Sequence, residues 1–381
     1  MKKQEFLRIL KKNNKGSASE EEKSFLSAYY NMFEAKSDIP EMLSPDKRDL
    51  LKKQIKAGLD IKIKKHKQKN AIPYLLLRQI AAAAILFIIL SGGITFYLVK
   101  SNNRNYAKNN IPPGGNKAIL TLANGTTIIL GNIKNGILTL QGGTVVKKTG
   151  NGQLLYDASD VRNSALAYNT ISTPRGGQYT VILPDSTKVY LNAASSLRFP
   201  TSFSGKFRTV SLTGEAYFEV AHNKNKPFMV TSEGQTVEVL GTHFDINAYA
   251  DEHVIKTTLL EGSVKVTASG KTAQLIPGQQ SQVIQGKNLD TLINLVSNVN
   301  MDEAVAWKNG YFQFESANLQ SIMRQFSRWY DVKVIYEGQP DNRLFSGQIH
   351  RNLNAAQALD LLNYANVHFT IDGKTIIVSN N

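Results

Sequence analysis

Ile80–Val99 reads IAAAAILFIILSGGITFYLV, twenty residues without a charge. As a helix rising about 1.5 Å per residue it extends roughly 30 Å, the thickness of a bilayer's hydrocarbon core. In that core a lone segment satisfies its own backbone donors and acceptors only as a helix. Ser91, Gly92 and Gly93 are tolerated in such a helix, and Tyr97 suits the headgroup level. A cleaved signal peptide begins near residue 1 and has a shorter apolar core, whereas this stretch begins near residue 80. The reading is one transmembrane helix over 80–99 with a folded part on either side.

The flanking charge orients it. Six Lys/Arg lie between Asp60 and Gln79 (Lys62, Lys64, Lys65, Lys67, Lys69 and Arg78), and four between Lys100 and Ile119. Residues 1–79 hold 19 Lys/Arg against 10 Asp/Glu in a chain whose net charge is +15. Such a bias puts the N-terminus in the cytoplasm and residues 100–381 outside it, which in a bacterium with two membranes is the periplasm. A basic arm also suits nucleic acid or an acidic protein face. No aromatic residues interleave this one as base stacking requires, so the bilayer is the expected partner and nucleic acid is not. With 381 residues the chain has room for two or three domains, and with no cysteine it has no disulfide, thiolate metal site or cysteine nucleophile.

On the cytoplasmic side, residues 1–70 form the expected helical module. One helical pattern carries Phe6, Leu7, Ile9 and Leu10. A second starts at Ser19, with Glu22 completing a capping box, and presents Phe25, Leu26, Tyr29, Tyr30 and Phe33. A third opens with Ser44-Pro45 and carries Leu50, Leu51, Ile55 and Leu59. Three such helices make a thin core, so the module is either a self-contained mini-bundle or one completed by a partner.

On the other side, 100–115 reads as a polar linker ending in Pro112-Pro113-Gly114-Gly115. The period then becomes two, as in Ala118–Leu122, Thr126–Leu130, Lys188–Leu191, Thr209–Leu212, Thr236–Leu240 and Ser263–Thr267, with turns such as Asn124-Gly125 and Glu261-Gly262 between. A curled two-sheet β domain over 116–290 is predicted, although a barrel or a β-helix-like stack fits the same pattern. Residues 301–381 differ. Strand Gly310–Phe314, helix Asn318–Tyr330, strands Val332–Tyr336 and Leu344–Ile349, helix Asn354–Asn366, and strands Val367–Ile371 and Lys374–Val378 follow in order. That β-α-β-β-α-β order with an added strand suits a small sheet covered by two helices.

Catalytic patterns are absent. The histidines (66, 222, 243, 253, 350, 368) show no helical ligand spacing, and no HExxH, GxSxG or GxxxxGK[ST] pattern occurs. His222 and His243 lie in or beside strands and are read as structural. Glu215 and Glu219 stand on one strand with Cα atoms about 13 Å apart, wider than a glycosidase pair. Asp251-Glu252 reads as a solvated turn, and Thr173–Gly177 (TPRGG) as a turn entering a strand rather than a phosphate cradle. No enzyme activity, metal or cofactor is expected.

Residues 169–285 closely resemble the FecR family of transmembrane anti-sigma regulators in its Bacteroidetes form. The resemblance is carried by NTISTPRGGQY (169–179), LNAASSLRFPTSFSG (191–205), LTGEAYFEV (212–220), PFM (227–229), VLGTHFDINAY (239–249), TTLLEGSVKV (257–266) and PGQQ (277–280). Residues 306–378, with WKNG at 307–310, look like the accompanying C-terminal domain, which is similar to the signalling domain of TonB-dependent transducing transporters. Residues 3–35 look like the family's sigma-binding helices. Where the family has Asp-Gly-Thr this chain has Asp185-Ser186-Thr187, and since serine disfavours positive φ, a different turn type is expected there.

The resemblance implies a mixed fold: a short helical N-terminal module, one transmembrane helix, an all-β FecR-like domain and a C-terminal α+β domain. It implies an inner-membrane protein that binds an extracytoplasmic-function sigma factor through Phe6, Leu7, Leu10, Phe25, Leu26 and Tyr29. Outside, it would meet the signalling domain of a TonB-dependent, SusC-like outer-membrane transporter through Tyr311, Phe312, Phe314, Ile376, Ile377 and Val378, by strand addition at an exposed edge, to regulate nutrient-uptake genes. Gly176, Gly177, Gly214, Gly241, Gly262 and Gly278 are then residues of the fold. The rival reading is a membrane-anchored periplasmic carbohydrate-binding or hydrolytic protein. Against it, the only tryptophans, Trp307 and Trp329, lie outside the β domain.

Overall fold

The computed structural model describes residues 9, 12, 18–34, 111–141, 143–157, 167–285, 291–338, 343–363 and 367–379. The Ile80–Val99 stretch, residues 100–110, the third helical pattern and nearly all of the first lie outside them. Among the described residues no helix is long and apolar enough to cross a membrane. The chain divides into two compact units, Ala18–Asn110 and Ile111–Asn381 with Met1–Ser17.

Of the first unit, helix Glu20–Glu34 is described. The capping box is formed: Ser19 N–H donates to Glu22 Oε2 (2.9 Å) and Glu22 N–H to Ser19 Oγ (3.2 Å). Glu20, Glu21 and Glu22 place negative charge in the first turn, where the helix dipole favours it.

In the second unit, short strands run from Gly115 to Val296. The alternating pattern explains them: Lys188–Leu191 and Gln235–Val239 bury every second residue. Strand Arg208–Glu219 organises the domain because it belongs to two sheets. Its first half pairs with Ser195–Pro200 and, in parallel, with Phe228–Ser232. Its second half pairs with Lys188–Leu191 and His243–Ala248. The crossing falls at Gly214, whose φ is +83° and where a Cβ would come within 2.5 Å of Ser195 Oγ. Only glycine fits both the left-handed backbone and the missing space.

The two sheets share one apolar core. Leu197, Val210, Phe228 and Val237 enter it from one sheet, and Val189, Phe218, Phe244 and Ile246 from the other. Phe218 and Phe244 stack with centroids 5.0 Å apart. The expected two-sheet domain is therefore the one found, and it extends further than the pattern indicated: Thr291–Val296 pairs with Gln280–Gln285.

The C-terminal module has the element order read from sequence, but its strands form two sheets rather than one. Tyr311–Asn318 pairs with Leu344–His350. Lys333–Glu337 and His368–Asp372 flank Thr375–Ser379 on either side. Both sheets pack on the same two helices, Leu319–Tyr330 and Ala355–Asn363, whose apolar stripes fill one core. Leu319, Ile322, Met323 and Phe326 of the first meet Ala358, Leu359 and Leu362 of the second, together with Phe312, Phe314, Ile376 and Val378 of the strands. Asn318 caps the first helix, its Oδ1 accepting from Ser321 N–H at 2.8 Å.

A short helix, Met301–Val305, joins the two parts; the sequence pattern did not reveal it. Nor is the stretch from Ile111 to Gly115 a free linker. Ile111 is buried in the C-terminal core and its carbonyl accepts from Ala355 N–H at 3.0 Å. Gly114 lies against Trp329, where a Cβ would stand 2.6 Å from the ring, and Gly115–Asn116 pairs in parallel with Gly177-Gln178.

Candidate functional site

The charged residues that the β pattern left unexplained meet where the β domain and the C-terminal module join. Helix Leu319–Tyr330 turns Arg324 and Arg328 toward the β domain. Arg328 donates to Asp251 Oδ1 and Glu252 Oε1, both at 2.8 Å, and Arg324 donates to Glu252 Oε2. The Arg328 guanidinium also lies 4.0 Å from the Tyr249 ring centroid. Asp251-Glu252 is thus an acceptor for two arginines rather than a solvated turn. Burial raises the proton affinity of Glu252, but hydrogen bonds and charge from Arg324 and Arg328 outweigh that and leave its pKa below the usual carboxylate value.

The TPRGG turn has a related role. Gly176 N–H donates to Arg328 carbonyl at 2.8 Å, closing the C-terminal end of the same helix. Arg175 hydrogen-bonds to Ser327 Oγ and to Val332 carbonyl. It is a turn, as expected, and it serves as the seat for the helix end.

Deeper in the seam stands Arg351, 3% exposed. Its guanidinium stacks 3.7 Å from the Trp329 ring and donates to Trp307 carbonyl and Asn192 Oδ1, both at 2.9 Å. Burial pushes its pKa down to about 10, against the pull of Tyr249 and Glu215. Glu215, on the strand shared by the two sheets, accepts from Asn192 Nδ2 and, at 2.9 Å, from Asn247 Nδ2. Asp245, on the neighbouring strand, accepts from Trp307 Nε1 at 3.2 Å. Burial raises both carboxyl pKa values. Asn192 and the arginines oppose the rise at Glu215, while the Glu215 charge adds to it at Asp245.

Asn192, Glu215, Asp245, Asn247 and Trp307 line a cleft of about 600 Å³ between the two parts. Glu219 is elsewhere, paired with Lys308 at 3.4 Å, and Lys308 lies 4.3 Å from the Tyr217 ring centroid. The two glutamates of that strand therefore serve different surroundings, and the acid beside Glu215 is Asp245. His243 Nδ1 stands 2.9 Å from Glu261 Oε2, and His222 packs over Gly241. Among the described residues no group of three or more His, Asp or Glu side chains is placed to hold a metal ion.

The residues expected to meet a transporter need correction. Phe312, Phe314, Ile376 and Val378 are buried in the module's own core, 0–4% exposed. Thr375–Ser379 has a strand on each side, so it offers no edge. Only Tyr311 and Ile377 of that set are partly exposed. The four buried ones pack the core of their own module. Of the residues expected to hold a sigma factor, Phe25 is partly exposed and Leu26 is 2% exposed on helix Glu20–Glu34, which also carries Tyr29. Phe6, Leu7 and Leu10 lie outside the described residues. The seam itself was missed, since nothing in the spacing of Arg324, Arg328 and Arg351 links them to Glu215 and Glu252.

Comparison with known proteins covers both halves of this seam. The family described as FecR protein matches residues 169–265, and the one described as FecR, C-terminal matches residues 311–378. Two crystal structures of a Parabacteroides distasonis protein, proposed to be an anti-sigma factor, are similar to the chain. One, at 1.65 Å resolution, has a TM-score of 0.51, and the other, at 2.50 Å, 0.52. Each is 26% identical, covering 56% of this chain and 99% of the other. No curated protein matches the chain significantly. The strand that crosses between sheets, the TPRGG seat and the module docked on it all lie within these matched regions, so both parts of the seam are similar to the FecR family.

Proposed function

We propose that the chain is an anti-sigma signal transducer that crosses the inner membrane once. In this reading, residues 1–70 hold an extracytoplasmic-function sigma factor in the cytoplasm through the apolar faces around Phe6–Leu10 and Phe25–Tyr29. Ile80–Val99 spans the bilayer. The β domain and C-terminal module stand in the periplasm and respond to the signalling domain of a TonB-dependent outer-membrane transporter. The protein has no catalytic role here; it changes which partners its two ends hold.

One observation carries the reading. The segment that follows the apolar stretch, Ile111–Asn116, is built into the seam between the β domain and the C-terminal module. A partner that shifts the module must therefore disturb the chain leading toward the membrane. The similarity to a protein proposed as an anti-sigma factor supports the same conclusion.

The test is co-purification of the full chain with its sigma factor. Phe25→Asp places a charge on the partly exposed face of helix Glu20–Glu34 and should abolish retention while the protein stays in the membrane fraction. Retention by the variant would reject the cytoplasmic docking face. A reporter fused after Val378 should be active only in the periplasm; activity in the cytosol would reject the orientation.

A further inference from the structure

We propose that the cleft between the β domain and the C-terminal module binds a short, uncharged oligosaccharide. At about 600 Å³ it falls within the range of roughly 300–1,000 Å³ typical of small-molecule sites. Such sites are mostly apolar, and this one is not. Seven of its eighteen lining residues carry side-chain amides, Asn247, Gln280, Gln313 and Gln325 among them.

Amides present donors and acceptors side by side, which is what a hydroxyl group, itself donor and acceptor, pairs with. Several are pre-oriented. Asn247 Nδ2 donates to Glu215 Oε1 at 2.9 Å, which fixes the plane of its amide. Gln313 Oε1 accepts from Gln348 at 3.2 Å, which fixes the plane of its amide. Gln280 Nε2 donates to Thr258 at 2.8 Å. Trp307, its indole N–H fixed by Asp245, supplies an aromatic wall for the C–H face of a sugar ring.

A cationic ligand is the alternative, because Glu215, Asp245, Glu303 and Glu315 also line the cleft. Glu215 already accepts from two amides, Asp245 from Trp307 and Glu315 from Asn300. Burial also favours the neutral forms of Glu215, Asp245 and Glu303, and Lys256 shares the wall. What the amides contribute is hydrogen bonding without charge.

The ligand would touch both parts and so favour the docked arrangement by mass action. This inference is independent of the sigma-factor reading, since binding is read without the sigma factor. The experiment titrates the full chain, in a detergent without sugar groups, with maltotriose, cellotriose and chitotriose, following the fluorescence of Trp307 and Trp329. Saturable binding of at least one trisaccharide is expected, weakened at least tenfold by Gln313→Met and by Gln325→Met. Both variants should unfold at the wild-type temperature without ligand. No saturation by any of the three, or equal affinity in both variants, overturns the proposal. So does saturation by spermine alone, which would assign the cleft to a cation.

Discussion

The core between the two β-sheets and the seam beneath the C-terminal module bury their side chains by opposite means. Phe218, Phe228 and Phe244 pack among Val, Ile and Leu, where attraction is non-directional and roughly proportional to the area removed from water. Arg328, Arg351, Glu215 and Asp245 are buried too, but each polar group is stripped of water and depends on named hydrogen-bond partners. Buried polar pairs, the Arg328–Glu252 ion pair among them, add little net stability, yet leaving one partner unpaired is expensive. The comparison suggests why the seam and not the core suits a signalling protein: it has one well-defined geometry but a small net free energy holding it.

The largest effect that separates the two regions should come from the core. Phe218→Ala leaves a cavity and should cost about 3–5 kcal/mol in urea unfolding of the full chain, with little dependence on pH. A loss below 1 kcal/mol would mean that the sheets do not share the core described. Arg328→Met should cost less overall, about 2–3 kcal/mol, because Asp251 is half-exposed and solvent screens that partner. Its signature is place rather than size. Hydrogen exchange should accelerate in helix Leu319–Tyr330 and in Ile111–Asn116 while the strand around Phe218 keeps its protection. Uniform acceleration would show that core and seam unfold as one.

The pH dependence sharpens the contrast further, and two carboxylates should pull in opposite directions. Glu252 has its pKa lowered in the folded state, so its contribution is present above its unfolded pKa and is lost as pH falls through the folded value. Asp245 has its pKa raised, so its contribution is present below its unfolded pKa and is lost as pH rises through the folded value. Asp245→Asn keeps an acceptor for Trp307 and removes that loss. At neutral pH it should stabilise the chain by on the order of 1 kcal/mol, and the gain should vanish below the unfolded pKa of aspartate. A variant less stable than wild type at pH 7 would mean that Asp245 is held ionised by a cation.

What was legible in the sequence follows the same division. Strands such as Lys188–Leu191, the capping box at Ser19 and the order of elements after Gly310 could be read because periodicity and capping are local. The resemblance, which assigned Phe312, Phe314, Ile376 and Val378 to a partner's surface, gave no help with burial: an apolar strand residue reads identically whether a helix of its own chain or another protein covers it. The seam was invisible for a different reason. Arg328 and Glu252 lie 76 residues apart, and no spacing rule connects them. Gly114 and Ile111 looked like linker because their partners, Trp329 and Ala355, are more than two hundred residues away.

The smallest expected effect lies at the turn 184–187, where the local rule predicted a change that did not occur. Ser186 adopts φ +69°, the left-handed conformation that serine was expected to avoid. The surroundings hold it there. Leu183 and Ser186 close the turn through Leu183 N–H to Thr187 carbonyl (2.8 Å) and Ser186 N–H to Leu183 carbonyl (2.9 Å). Asp185 accepts from Thr187 N–H at 3.0 Å and from the buried Arg208 at 2.8 Å. A left-handed non-glycine residue costs about 1–2 kcal/mol, and glycine's extra freedom in the unfolded chain offsets about 0.5–1 of that. Because the Ser186 side chain is exposed, Ser186→Gly removes no buried contact and should raise stability by about 0.5 kcal/mol in urea unfolding, leaving exchange at the seam unchanged. Destabilisation by this substitution would falsify the left-handed turn and return the loop to the type the sequence first suggested.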